Sequence, residues 1–91
     1  ESQPLSVLSP TNGTQIILPK TLNGEKGSLV VEAAHHRSDI DVHWHLDQEF
    51  LGTTREHHQM LVSAPTGSHL LTLVDGEGHR ATLNFELVSG Q

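Results

Sequence analysis

The sequence predicts an all-β fold, an antiparallel β-sandwich of about seven strands, and three observations lead there. Turn-forming clusters interrupt the chain at short intervals: Ser9-Pro10-Thr11-Asn12-Gly13, Asn23-Gly24-Glu25-Lys26-Gly27, Ala64-Pro65-Thr66-Gly67 and Asp75-Gly76-Glu77-Gly78. Glycine, proline, asparagine and aspartate supply or tolerate turn geometry, and the stretches between these clusters are too short for ordinary helices. The apolar residues also recur with period two, Ile40, Val42, Trp44 and Leu46 alternating with Asp41, His43, His45 and Asp47. That is a half-buried strand with one dry face. Residues 80 to 88 repeat the pattern, Ala81, Leu83, Phe85 and Leu87 standing against Thr82, Asn84 and Glu86.

Taken in order, Leu5 to Leu8 and Thr14 to Leu18 flank the first turn, and Ser28 to Ala34 follows the second. Then come the strong strand at 40 to 47, a short one at Phe50 and Leu51, Gln59 to Ser63, His69 to Val74, and the final strand. Asp75-Gly76-Glu77-Gly78 joins the last two as a hairpin. Short strands at this density are the signature of a sandwich or barrel. No segment repeats at a fixed period and none is low in complexity.

The totals bound the function. Ninety-one residues make a single domain, 1–91, with no room for two independent cores. Eleven acidic residues against five scattered basic ones give a net charge of −6, which repels nucleic-acid phosphates and anionic membrane surfaces alike. No apolar run reaches the roughly 18 residues of a membrane span. With no cysteine, disulfides, thiolate zinc sites and cysteine nucleophiles are excluded. Nothing resembling a signal peptide opens the sequence at Glu1, so it reads as cytosolic or as a fragment of a longer exported chain.

One spacing sharpens the sandwich to an immunoglobulin-like or fibronectin-like one. In immunoglobulin domains a buried tryptophan packs on two inward positions, often cysteines, from a strand before it and one near the end. Trp44 is the sole tryptophan, and Val31 and Leu71 stand at suitable separations, so an aliphatic pair takes the place of the disulfide. The same template sets a hydrogen-bonding tyrosine two residues before the second cysteine position. Here that residue is His69, which is expected to take the corner role.

Ser9-Pro10-Thr11-Asn12-Gly13-Thr14 stands near the start of the sequence, and Trp44, Leu46, Asp47, Pro65, Gly67, His69, Leu71, Asp75 and Gly78 follow in fixed order. Together they resemble the C-terminal domain family of bifunctional penicillin-binding proteins of the 1C type. That family carries Ser-Pro-x-x-Gly-Thr, a Trp-x-Leu-Asp/Asn-Gly segment, a Pro-x-Gly-x-His-x-Leu turn and strand, and an Asp-x-x-Gly hairpin. Gln48 departs from it, standing where the family has a turn glycine, as does the lack of an aromatic around Gln59 to Val62. The resemblance covers nearly the whole chain. It implies a periplasmic module behind the glycosyltransferase and transpeptidase domains of a peptidoglycan synthase whose parent chain is anchored in the inner membrane.

No catalytic residue is expected. A serine acyl-transferase of that superfamily needs Ser-x-x-Lys, and none of the eight serines has a lysine three residues later. Lys-Thr-Gly is also missing, since Lys20-Thr21 is followed by Leu22, and Gly-x-Ser-x-Gly does not occur. The eight histidines point the other way: His43 and His45 share one strand face, and His35, His36, His57 or His58 could supply a third metal ligand. The simpler reading is that these histidines are solvated or face a partner, because polar residues must alternate with the core row. Asp39, Asp41, Asp47 and Glu49 are read as a solvated sheet face and turn, and Asp75 and Glu77 as hairpin residues.

The expectation is therefore a monomeric, non-catalytic accessory module with no cofactor, contacting peptidoglycan or envelope proteins by a sheet face, end loops or an edge strand. The rival readings are a free-standing envelope or adhesion module, a histidine-based metal-binding domain and a spacer that binds nothing.

Overall fold

The computed structural model describes residues 4–18 and 27–89. Among these residues are eight strands: β1 (Leu5–Ser9), β2 (Thr14–Leu18), β3 (Gly27–His35), β4 (Asp41–Leu46), β5 (Glu49–Arg55), β6 (His58–Ala64), β7 (Gly67–Asp75) and β8 (Arg80–Ser89). They form a three-stranded sheet of order β1-β3-β6 and a five-stranded sheet of order β2-β8-β7-β4-β5. Every pairing is antiparallel except that of β2, which runs parallel to β8 from Thr14 opposite Phe85 to Leu18 opposite Ser89. The turn expected at Asn23 to Gly27 falls, apart from Gly27, outside the described residues.

Alternation sets the sandwich. Along β4 the inward row is Val42, Trp44 and Leu46, and the register places Trp44 opposite Leu73 on β7. Along β3 the inward row is Leu29, Val31 and Ala33, and β8 contributes Leu83, Phe85 and Leu87. These rows interlock in one core with Leu5, Val62, Ala64 and Leu71, and Val31, Trp44 and Leu71 are all fully buried within it. Burial of this apolar area, at about 25 cal/mol per Å², is the main force joining the sheets.

Two boundaries differ from the sequence expectation. β4 begins at Asp41, with buried Ile40 just before it. β5 is seven residues long where only Phe50 and Leu51 were expected, because it is an edge strand with no clean apolar alternation. Its pairing with β4 shifts between Trp44 and His45, leaving Leu51 as a bulge residue without an opposite number. The bulge switches the faces along β5: Phe50 lies on the outer face, while Gly52 and Thr54 sit opposite Trp44 and Val42 on the inner one.

Candidate functional site

Among the described residues, polar and aromatic side chains meet in defined arrangements on the outer face of the five-stranded sheet and at the two ends of the sandwich. On the outer face, His43 and His45 share one side of β4, as period two requires. Both are half-buried, and between them and the sheet edge stands Phe50, 56% exposed. Its ring centroid lies 5.3 Å from that of His45 and 6.5 Å from that of His43, with tilted planes. His43 Nδ1 is hydrogen-bonded to Thr53 Oγ1 at 3.0 Å. The register continues this face across Thr72, paired with His45, and Thr82, paired with Thr72.

At one end of the sandwich, Asp47 adopts a left-handed backbone, φ 56°, in the turn after β4. Aspartate is among the few non-glycine residues that tolerate it, which compensates for the missing turn glycine at Gln48. The turn is pinned to β7: Asp47 donates its amide to the Leu70 carbonyl at 2.7 Å, and Leu70 donates to Asp47 Oδ1 at 3.0 Å. His69 Nδ1 donates to Asp47 Oδ2 at 2.9 Å and Nε2 to the Pro65 carbonyl at 2.8 Å. Both partners are acceptors, so the protonated ring, with a hydrogen on each nitrogen, satisfies both at once. Burial by itself pushes His69 down, but the bonds to Asp47 and Pro65 outweigh it and raise the imidazole above its ordinary value. The Leu70 amide, then His69, hold Asp47 below the usual carboxylate value.

At the opposite end, where β3 and β7 finish and β6 and β8 begin, most of the remaining histidines gather. Asp75 continues the inward row of Leu71 and Leu73, so its carboxylate is buried. Oδ1 accepts the amides of Glu77 at 2.8 Å and His79 at 2.9 Å, closing the hairpin. Oδ2 accepts from His35 Nε2 at 2.7 Å and His79 Nδ1 at 2.8 Å. Burial alone would raise the Asp75 carboxyl. The hydrogen bonds from His35, His79 and the two amides win and hold it well below the ordinary range. His35 is buried too, with 1% of its side chain exposed, and its Nδ1 accepts the Arg37 amide at 3.0 Å. The Arg37 guanidinium bridges Asp39 and Glu77 above this pair.

Beside His35, a tight turn through Glu56, φ 69°, brings the His57 amide onto the Arg55 carbonyl at 2.7 Å and starts β6 at His58. His58 is buried and its ring meets that of His35 edge-on at 6.5 Å. The Trp44 indole donates to Thr54 Oγ1 at 2.8 Å, and Thr54 is hydrogen-bonded to His58 Nδ1 at 2.7 Å. His58 Nε2 is buried with no partner among the described residues. Burial, then the neighbouring His35 and His57, pushes this imidazole below its ordinary value.

The expectation that the paired histidines are solvated or face a partner is therefore corrected at His35 and His58. Each lies where a strand meets the end of the core and turns inward, while His36 and His57 are exposed. Among the described residues, the group close enough to hold an ion is His35, Asp75 and His79 rather than His43 and His45. No spacing connects His35 to a hairpin 40 residues on, but the inward parity of Asp75 after Leu71 and Leu73 was a readable sign.

The family model of the Penicillin-Binding Protein C-terminus Family matches residues 1–85. The chain belongs to this family. Among solved structures, the fibronectin(III)-like modules of Clostridium thermocellum CbhA are similar, with a TM-score of 0.71 and 15% identity over 96% of this chain and 99% of that one. That likeness shows the fold, a fibronectin-like β-sandwich. No curated protein matches the sequence.

The sequence features of this penicillin-binding protein C-terminus domain have physical roles in the fold. In Ser9-Pro10-Thr11-Asn12-Gly13-Thr14, Asn12 Oδ1 accepts the Asn84 amide at 2.8 Å and Gly13, at φ 86°, donates to the Asn84 carbonyl at 2.7 Å. The turn is thus clipped to β8, where β2 then pairs in parallel. Asp47, His69 and Asp75 each tie a turn to a neighbouring strand.

Proposed function

We propose that this domain is a non-catalytic binding and positioning module of a periplasmic peptidoglycan synthase, and that it contacts the glycan of the cell wall with the outer face of its five-stranded sheet. One observation carries the reading: a largely exposed Phe50 flanked by the rings of His43 and His45, with the hydroxyls of Thr53, Thr72 and Thr82 on the same face. An aromatic face takes the apolar side of a pyranose ring, while imidazoles and hydroxyls beside it serve sugar hydroxyls. A neutral ligand suits this patch in a chain of net charge −6, which repels polyanions.

Membership of the penicillin-binding protein C-terminus family supports the accessory role. The missing Ser-x-x-Lys supports a mechanism in which the parent's other domains supply the chemistry. Cosedimentation with purified sacculi tests the proposal. The domain is expected in the pellet, Phe50→Ala in the supernatant, and Leu61→Ala, on the outer face of the three-stranded sheet, unchanged. Pelleting that ignores Phe50, or no pelleting alongside capture of an envelope protein, would show that glycan is not what this face binds.

A further inference from the structure

We infer that His35, Asp75 and His79, with Glu77 at the rim, form a binding site for a divalent transition-metal ion of the zinc class. The ligand atoms of the first three lie within 4.8 Å of one another. Two imidazoles and a carboxylate are a donor set that zinc accepts in tetrahedral sites. The set is asymmetric. Asp75 and His35 are buried and fixed by the core, whereas the His79 side chain is 44% exposed and gives the ion a path from solvent. Glu77 Oε1 lies 4.0 Å from His79 Nδ1, and its other carboxylate oxygen meets the exposed Arg37 guanidinium. It is the side chain placed to complete the coordination.

The protons define what binding must do. Asp75 Oδ2 now accepts a proton from each ring, so His35 carries hydrogen on Nε2 and His79 on Nδ1. To coordinate an ion between the rings, each must move its proton to the far nitrogen. For His79 that nitrogen is Nε2, on an exposed ring. For His35 it is Nδ1, which at present accepts the Arg37 amide. Two donors cannot face each other, so the Arg37 peptide must turn away. It lies in the exposed segment from His36 to Asp39, between β3 and β4, so this costs no core packing. The tautomer exchange and peptide rotation make binding weaker than at preformed structural zinc sites.

Calorimetry of the untagged 91-residue domain with zinc chloride in a non-chelating buffer tests the site. One ion should bind with a dissociation constant of about 1 to 10 μM. His79→Ala, at an exposed position that leaves the core intact, should weaken binding at least about tenfold, and His43→Ala should not change it. Imidazole nitrogen NMR should show both His35 and His79 exchanging tautomer, and the Arg37 amide should be among the resonances that shift most. No heat up to millimolar zinc, equal binding by His79→Ala, or loss on His43→Ala would each overturn the site. None of these outcomes bears on sacculus binding through Phe50, at a separate place on the fold.

Discussion

At the scale of single residues, Trp44 joins packing to hydrogen bonding. Its ring is completely buried, and its indole nitrogen serves Thr54, which in turn meets His58. Trp44→Ala is expected to cost about 3 to 5 kcal/mol and to leave so small a domain close to unfolded. Trp44→Phe keeps most of the volume but removes the donor, for about 1 to 2 kcal/mol. Urea unfolding followed by circular dichroism measures both, and a harmless Trp44→Ala would contradict a core built around the indole. His69 has a different signature. Its pKa is raised on folding, so its stabilisation is complete below the unfolded value of about 6.5 and is lost as pH rises through the folded one. That of Asp47, whose pKa is lowered, is present above about 3.8 and lost as pH falls through its folded value. Wild type should therefore exceed His69→Gln in stability most clearly near about pH 5.5, with the gap narrowing by about pH 8.5. A gap that widened on the alkaline side would show that the ring is not held as an imidazolium.

At the scale of elements, the loop from Ser9 to Thr14 shows how a short motif fixes an edge strand. Asn12 and Gly13 clip it to Asn84, and Thr14 donates its amide and its hydroxyl to the Thr11 carbonyl. Asn12→Ala removes one clip and should cost about 1 kcal/mol, with hydrogen exchange quickening in β2 before the rest of the sheet. His43→Ala, on the outer row of β4, should stay within about 0.5 kcal/mol of wild type in the same denaturation assay. The strands most legible in the sequence were β4 and β8, because each lines one wet and one dry face. β5 was largely missed: an edge strand carrying a bulge has neither strict alternation nor two neighbours to demand it. The histidine cluster was illegible for another reason. His35 at the end of β3, His58 at the start of β6 and His79 in the β7–β8 turn are brought together only by the sandwich topology, and the spacing between them does not connect them. The template offset from Leu71 singles out His69 in the sequence, and its ring is hydrogen-bonded to Pro65 and Asp47.

At the scale of the molecule, the two sheets share one core, so neither has an apolar interior of its own to keep it folded. Leu5, on β1 of the three-stranded sheet, and Leu83, on β8 of the five-stranded sheet, are both almost wholly buried in that cluster. If the sandwich is one cooperative unit, removing either leucine lowers the stability of both sheets equally. Leu5→Ala and Leu83→Ala should each cost about 2 to 5 kcal/mol. The single tryptophan reports on the interior of the five-stranded sheet, while far-ultraviolet circular dichroism reports on all strands. In each variant the two signals should change together with one midpoint. A Leu5→Ala protein whose dichroism fell at lower denaturant than its fluorescence would instead mean that the three-stranded sheet can detach. The five-stranded sheet, with its Phe50 face, would then be able to stand as a separate unit.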